Sequence, residues 1–474
     1  MRKIYWYVSA FLRKHGWKVL LAFVVTFAFF SVFLPYVFRN IEQTSRYYIG
    51  VVGEFHLDNL PTIITQQISS GLTVEQIDGS FLPDLAERIS IEDEGRLFRF
   101  TLPIGLRWQD GTDLVPSDIV YNLPGVSVEF TEHEIIYTLE EAFAPLPQYV
   151  SMPLIRLQSE RRWGLIDRVR VIGIGEYELT THRSRDRSPY SALQEVIVDN
   201  RINRSRYIYR FYPTEEHALL AFKKGEVDFL FDIADPESIY YWDNVLTRER
   251  GLYNQYIAVF FNNDEPIFNR SIRQALSYAI EKERSGMRRV SGPIPSTSWA
   301  YFRGIKDYDK NMEQAVARML DELPGEPMQL RLTTLSVFHS IATDIARQWE
   351  ELGVLAREAC LEDNSVTNRV LCENLAIGVE INIQNFPDLN NYQILLMGKE
   401  VFGDPDQYSL WHSEAPTNFT NYQNTRVDAL LEQGRQTILQ SERVSIYQEF
   451  QQVLLEDPPA VWLWAMRTYD IARR

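Results

Sequence analysis

Two lobes of mixed α/β structure, with a small β-rich subdomain and an N-terminal transmembrane helix, are the architecture the sequence predicts. Three observations carry it. Residues 19–38 form a 20-residue stretch without a charge. Residues 83–165 are dominated by strand and turn patterns, and from Thr214 onward helix-like and strand-like segments alternate, as they do in α/β domains. At 474 residues, 45% of them apolar, the chain is long enough for two or three domains that each bury a core.

Arg2, Lys3, Arg13, Lys14 and Lys18 precede the uncharged stretch, while Arg39, Glu42 and Arg46 follow it. About 20 residues suffice for a helix to cross a bilayer, and the basic excess places residues 1–18 in the cytoplasm and the body outside. A cleavable signal peptide, which also has a charged start and an apolar core, is the competing reading. The apolar run is longer than the usual ~7–15 residues of such a core, and no small-x-small site follows it. No Cys lies in the span, so a lipoprotein anchor is excluded. The first 46 residues carry seven Lys and Arg against Glu42, which leaves 41 basic and 63 acidic residues in the body. An acidic body repels phosphate backbones and anionic head groups; this argues against a nucleic-acid partner and against peripheral membrane docking by the main body.

The elements follow in order. Residues 47–52 read as a buried strand ended by Gly53, residues 60–70 have helical spacing, and Asp78-Gly79 makes a turn. These open lobe I, expected over 47–82. The small subdomain, 83–165, holds a period-two run at 97–102 and the turn Trp108-Gln109-Asp110-Gly111-Thr112, with Trp108 read as a packing residue. Lobe I resumes over 166–262 with strands at 168–172 and 177–181, a helix from Thr214 stopped by Gly225, and a strand at 227–231. Lobe II, 263–474, has helices at 272–283 and 312–323, a strand at 330–334, a helix at 340–352 and a strand at 354–359. An amphipathic run at 427–455 then closes on a strand at 460–464.

Cys360 and Cys372 are the two cysteines. Outside the cytoplasm, a local disulfide across the polar excursion 361–371 is the expectation, contributing about 3 kcal/mol in the chain-entropy model. Two unpaired thiols are the alternative. The seven histidines are scattered without metal-ligand spacing, and neither a Gly-x-Ser-x-Gly elbow nor a phosphate loop occurs. No catalytic constellation, metal site or cofactor is therefore expected; His56 and His412 are the first to inspect for metal capture.

Several motifs follow one another in a specific order. Residues 82–87 come first, then Trp108-Gln109-Asp110-Gly111-Thr112 leading to Asp118-Ile119-Val120-Tyr121, and then Ala221-Phe222-Lys223-Lys224-Gly225-Glu226-Val227-Asp228. Phe260-Phe261-Asn262-Asn263 before Pro266-Ile267-Phe268, residues 272–280, Gly403-Asp404-Pro405, Asn421-Tyr422 and Asp428 with Leu430-Leu431 complete the series. Singly each is weak, but the ordered set resembles the extracellular solute-binding protein family 5, the peptide- and nickel-binding receptors of ABC importers, over residues 47–470. The resemblance implies a type II periplasmic-binding-protein-like fold and a membrane-anchored extracytoplasmic receptor. Such a receptor captures a peptide or small polar organic ligand between its lobes and delivers it to ABC permease subunits. The alternative is a tethered ligand-sensing or partner-binding module that has lost transport.

The resemblance also points to a site, and to departures within it. Members that bind di- and oligopeptides place an Asp shortly before the Asp-Pro turn, where it neutralises the α-ammonium. Here the stretch is Lys399-Glu400-Val401-Phe402, one residue shorter, with Val401 at or beside that position. Glu400 substitutes if the loop shifts, whereas Lys399 favours a ligand carboxylate. Because a buried charge needs an opposite partner, whichever faces the cleft sets the ligand's polarity. Asp404 and the aromatic residues Trp299, Tyr301, Phe386 and Phe402 complete the expected contacts, since large rings bury much area while tolerating varied ligands. Arg273 is expected as a surface or interlobe ion-pair partner. Pro124-Gly125 ends a helix that relatives extend. Relatives also continue past the last strand with a tail returning to lobe I, so a simpler hinge is implied here.

Overall fold

The structure is a computed structural model that describes residues 14–18, 20–31, 33, 45–162, 166–186, 191–200, 202–236, 238–363, 369–384, 386–401 and 403–474. Residues 14–18, 20–31 and 33 are helical, and Leu20, Phe23, Phe27 and Phe30 are exposed. Among the described residues no helix is long and apolar enough to cross a membrane. Residues 19, 32 and 34–38 of the expected span lie outside the described residues.

Lobe I begins with β1 (Arg46–Val52), α1 (Thr62–Ile68) and the hairpin of β2 (Thr73–Glu75) and β3 (Phe81–Pro83). The small subdomain is an antiparallel sheet of β4 (Arg88–Glu92), β5 (Leu97–Thr101), β6 (Val126–Phe130) and β7 (Glu134–Leu139), ordered β4-β5-β7-β6. Its period-two strand β5 puts Phe98 and Phe100 into a core with Trp108, Ile135 and Tyr137. Trp108 is buried, and its indole N–H donates to Asp118 at 3.2 Å. The neighbouring Gln109 ties this subdomain to lobe I: its amide donates to the carbonyls of Ile68, Gly175 and Tyr177. After α2 (Leu146–Tyr149), β8 (Arg156–Arg162) and β9 (Ile166–Ile172) pair with each other across the expected 165/166 boundary.

Lobe I then adds β10 (Tyr177–Ser184), β11 (Leu193–Asn200), β12 (Arg206–Tyr212), α3 (Glu215–Lys224) and β13 (Phe229–Ile233). Thr214 caps α3 by accepting from the N–H of His217, and Gly225 ends it in the left-handed conformation, φ +75. Next come β14 (Val245–Phe261), α4 (Arg270–Ala279), α5 (Met312–Asp321), β15 (Met328–Thr334), α6 (His339–Glu362) and α7 (Arg369–Asn374). The chain continues through β16 (Ile377–Ile383), β17 (Ile394–Glu400), α8 (Tyr408–Trp411), α9 (Thr425–Gln436), α10 (Gln440–Glu456) and β18 (Ala460–Arg473).

One ten-stranded sheet, β10-β11-β12-β1-β13-β18-β14-β17-β15-β16, runs through both lobes. β14 and β18 make this continuity possible because each is long enough to serve both. Residues 245–252 of β14 pair with 466–473 of β18 next to β13, while 256–260 pair with 460–465 and 255–261 with β17. Between the halves the register slips, with Leu252 opposite Met466 and Tyr256 opposite Ala465. Such an irregularity bends a ribbon. In lobe II, successive residues of β14 feed opposite cores: Ile257, Val259 and Phe261 one, Tyr256, Ala258 and Phe260 the other.

Three expectations need correction. Residues 354–359 are not a strand; α6 runs unbroken to Glu362, because Ile341, Ile345, Trp349, Leu352, Ala356 and Cys360 form a buried helical stripe. Gly353 lies against the backbone of Ile377 in β16, where a Cβ would collide. Arg273 is not a surface residue; it is 6% exposed, pairs with Asp457 at 2.6 Å and donates to the carbonyls of Phe268 and Pro458, all within lobe II. The last strand does not end at 464, and its continuation supplies the return to lobe I. The structure joins Cys360 to Cys372, their Cα atoms 5.4 Å apart, between α6 and α7; residues 364–368 lie outside the described residues.

Candidate ligand-binding cleft

The hairpin β2–β3 reaches from lobe I onto lobe II. Its turn is tight at Gly79 (φ +82), and the Asp78 carbonyl accepts from the N–H of Trp299 at 3.0 Å. A Cβ on Gly79 would collide with the carbonyl of Gly403, and one on Gly403 with the carboxylate of Glu75. The lobes touch at a point where neither backbone tolerates a side chain. Beneath it lies a recess of about 330 Å³ lined by Glu75, Asp78, Arg250, Asn254, Ser298 and Gly403.

A second, wider recess of about 640 Å³ opens where the crossing ribbon meets lobe II. Val337, Phe338, Phe386 and Met466 give it an apolar wall, and Gln255, Lys399 and Glu400 its polar edge. Lys399 and Glu400 are neighbours at the end of β17, and both reach the edge of this recess although successive residues of a pleated strand leave on opposite faces. Lys399 is half-buried, and burial lowers its pKa while Glu400 opposes that shift. Glu400 is exposed and meets the Asn254 amide at 3.5 Å. Burial raises the pKa of Glu75, and the negative charge of Glu400 raises it further. The two carboxylates, one from each lobe, are thus within electrostatic reach of each other, with Glu75 against Gly403.

The expected site residues divide. Phe386, 93% exposed, converges with Lys399 and Glu400 on the wider recess. Asp404 does not face it. Its oxygens accept from Arg443 at 2.7 and 2.8 Å, and both side chains are buried. Burial works against the Arg443 charge, but Asp404 more than offsets it and holds its pKa above the ordinary arginine range. Trp299 packs beside this pair, with Arg443 5.3 Å from its ring centre, and half-buried Tyr301 packs into the same lobe II core. Phe402 lies outside the described residues. Val401, expected at or beside the amine-binding position of peptide-binding relatives, is 3% exposed and donates its N–H to the Asn254 carbonyl.

His412 is buried against Tyr408 and shares a 3.1 Å hydrogen bond with Glu432. His56 stands at the start of lobe I, and among the described residues no group of three His, Cys, Asp or Glu could hold a metal. Sequence reasoning missed Glu75, Phe338 and Met466. The Asp78-Gly79 turn gave a signal that a hairpin existed but none for what it touches.

Residues 80–404 match the family model of bacterial extracellular solute-binding proteins, family 5 Middle, and the chain belongs to that family. The oligopeptide-binding protein AppA of Bacillus subtilis is 20% identical, the alignment covering 89% of this chain and 86% of AppA. Among solved structures, the substrate-binding protein CtaP of Listeria monocytogenes superposes with a TM-score of 0.70 at 20% identity, covering 91% of this chain and 94% of CtaP. NikZ of Campylobacter jejuni, solved with Ni(L-His), gives 0.69 at 18% identity, covering 90% and 94%. At these identities the two structures establish the shared two-lobed fold.

Proposed function

We propose that the chain is an extracytoplasmic receptor that closes on a peptide or similar polar organic ligand and hands it to ABC permease subunits, without catalysing a reaction. The observation that carries this reading is the convergence of an apolar wall, Lys399 and Glu400 at the ribbon joining two lobes. Apolar surface supplies affinity there, and a few polar groups fix orientation. With Val401 buried, the ligand's ammonium falls to Glu75 and Glu400, one from each lobe, so its binding also draws the lobes together. Residues 19–38 serve as an N-in anchor, a reading supported by the uncharged stretch, the basic residues before it and the exposed apolar side chains of its helical part.

Titration calorimetry and X-ray scattering of the full chain against peptides with free and acetylated amino termini test the site. The expected result is binding and compaction with free amino termini and at least tenfold weaker binding once acetylated. A peptide panel that changes neither heat nor scattering profile overturns the reading. The intact mass of membrane-extracted protein tests the anchor, which fails if the mature chain starts between residues 35 and 50.

A further inference from the structure

The end of lobe I at which β1 starts differs in chemistry from the rest of the body. Backbone hydrogen bonds gather several segments there: Arg206 donates to Ser45, Asp228 to Tyr48, Arg473 to Asp228, and Arg474 to Asn244, all at 2.8–3.0 Å. Outward these segments present Ile202, Trp242 and Leu246, which are 71%, 40% and 54% exposed. The turn holding Ile202 is built to present it. The Asn200 side chain accepts from the N–H groups of both Ile202 and Asn203 at 2.8 Å, and Arg204 sits in the left-handed region at φ 56.

Around these apolar groups stand exposed Arg46, Arg204, Lys223 and Lys224. Glu226 and Asp243 are exposed nearby, while Asp199 and Asp228 are paired with Arg206 and Arg473. The local balance is positive on a body with 63 acidic and 41 basic residues beyond position 46. A single exposed apolar residue would be ordinary. Trp and aliphatic side chains ringed by Arg and Lys match a bilayer's interface, where head groups are anionic and the tails begin just below.

The chain itself brings a bilayer to this surface. Seven residues, 39–45, separate the uncharged stretch from β1, and seven residues span at most ~25 Å. We infer that this end of lobe I rests on the bilayer, with Ile202 and Trp242 at head-group level and Arg46, Arg204, Lys223 and Lys224 against anionic lipid phosphates. The inference rests on residues 19–38 being the anchor. The acidic remainder does not prevent contact, because charges farther than about 8–10 Å from the membrane are screened at physiological salt. β14 leads away from this end into lobe II, so the membrane contact is made by lobe I alone.

Hydrogen exchange of the full chain, in nanodiscs of phosphatidylcholine with or without phosphatidylglycerol and in detergent, tests the surface. Residues 202–206 and 242–246 should exchange more slowly in phosphatidylglycerol discs than in detergent or phosphatidylcholine discs. Neutralising Arg204, Lys223 and Lys224 (R204Q/K223Q/K224Q) should reduce the anionic preference, by about fivefold per side chain at ~1 kcal/mol each. Equal exchange in anionic discs and detergent, with intact mass showing residues 1–38 retained, overturns the inference while leaving the anchor standing. Equal protection in both disc types overturns the assignment to anionic phosphates. A mass showing removal of residues 1–38 removes the anchor and the inference together.

Discussion

Glu400 and Asp404 are carboxylates four residues apart on the same lobe, beside the same interlobe contact, and the protein treats them oppositely. Asp404 is closed off, with both oxygens engaged by Arg443 and ring packing by Trp299 around the pair. Glu400 is exposed, meets an amide at 3.5 Å, and has half-buried Lys399 and the carboxylate of Glu75 within electrostatic reach instead of a buried guanidinium. The difference teaches that position next to the Asp-Pro turn does not make a carboxylate a ligand group. What decides its role is whether the fold buries it against its counter-charge.

The largest effect should come from breaking the closed end. Asp404→Ala leaves Arg443 charged and buried without its partner, which is expected to cost about 3–5 kcal/mol of stability. Replacing both partners with apolar residues (D404L/R443M) should recover much of that loss. Denaturant melts of the three proteins decide the matter; a D404A variant within about 1 kcal/mol of the parent would contradict the pairing. Next in size is the covalent tie, also away from the cleft. C360A/C372A should destabilise by about 3 kcal/mol in the chain-entropy model while leaving ligand affinity unchanged. Non-reducing peptide mapping should find the two residues in one linked fragment, and freely alkylated thiols would refute the pairing.

At the open end the expected readouts reverse. Glu400→Gln should leave the melt within about 0.5 kcal/mol of the parent, as for most surface changes. It should still weaken binding of ligands with a free ammonium about tenfold, the equivalent of ~1.4 kcal/mol. An unchanged affinity with an altered melt would place Glu400 in the scaffold alongside Asp404.

The contrast between these ends also separates what was legible in sequence. Strand β5 was readable from its alternation and α3 from its Thr cap and terminal Gly, since these signals are local. The second half of α6 was misread because Gly353 and Val354 resemble a stop and a strand start, although the spacing of Trp349, Leu352, Ala356 and Cys360 is helical. Lys399 and Glu400 were picked out by their place beside the Asp-Pro motif and Phe386 as a large ring, but that the three line one recess was not visible in the sequence. Arg443 lies 39 residues beyond Asp404 and Glu75 lies on the other lobe, so no local pattern could pair them. Met466 escaped because β18 was expected to end before it, and only its pairing with β14 carries it to the cleft.

Glu75 gives the smallest expected effect and the finest test of the open end. Its pKa in the closed arrangement is raised by burial and by Glu400; in an open form, away from Gly403, it should return toward the ordinary 4.5. The closed form therefore holds the proton more tightly, so ligand-free closure should strengthen as pH falls toward 4.5 and weaken as pH rises past the closed-state value. Solvent still reaches Glu75, so screening keeps the effect modest. A ligand ammonium between Glu75 and Glu400 should reverse the sign: it favours both ionised carboxylates, and its binding should weaken as pH falls through the same window. Scattering for ligand-free closure and calorimetry for binding, each across pH 4.5–7, should give slopes of opposite sign, and Glu75→Gln should flatten both. If the two slopes share a sign, the carboxylates do not share the ligand's charge, and Glu400 stands alone as the open counterpart of Asp404.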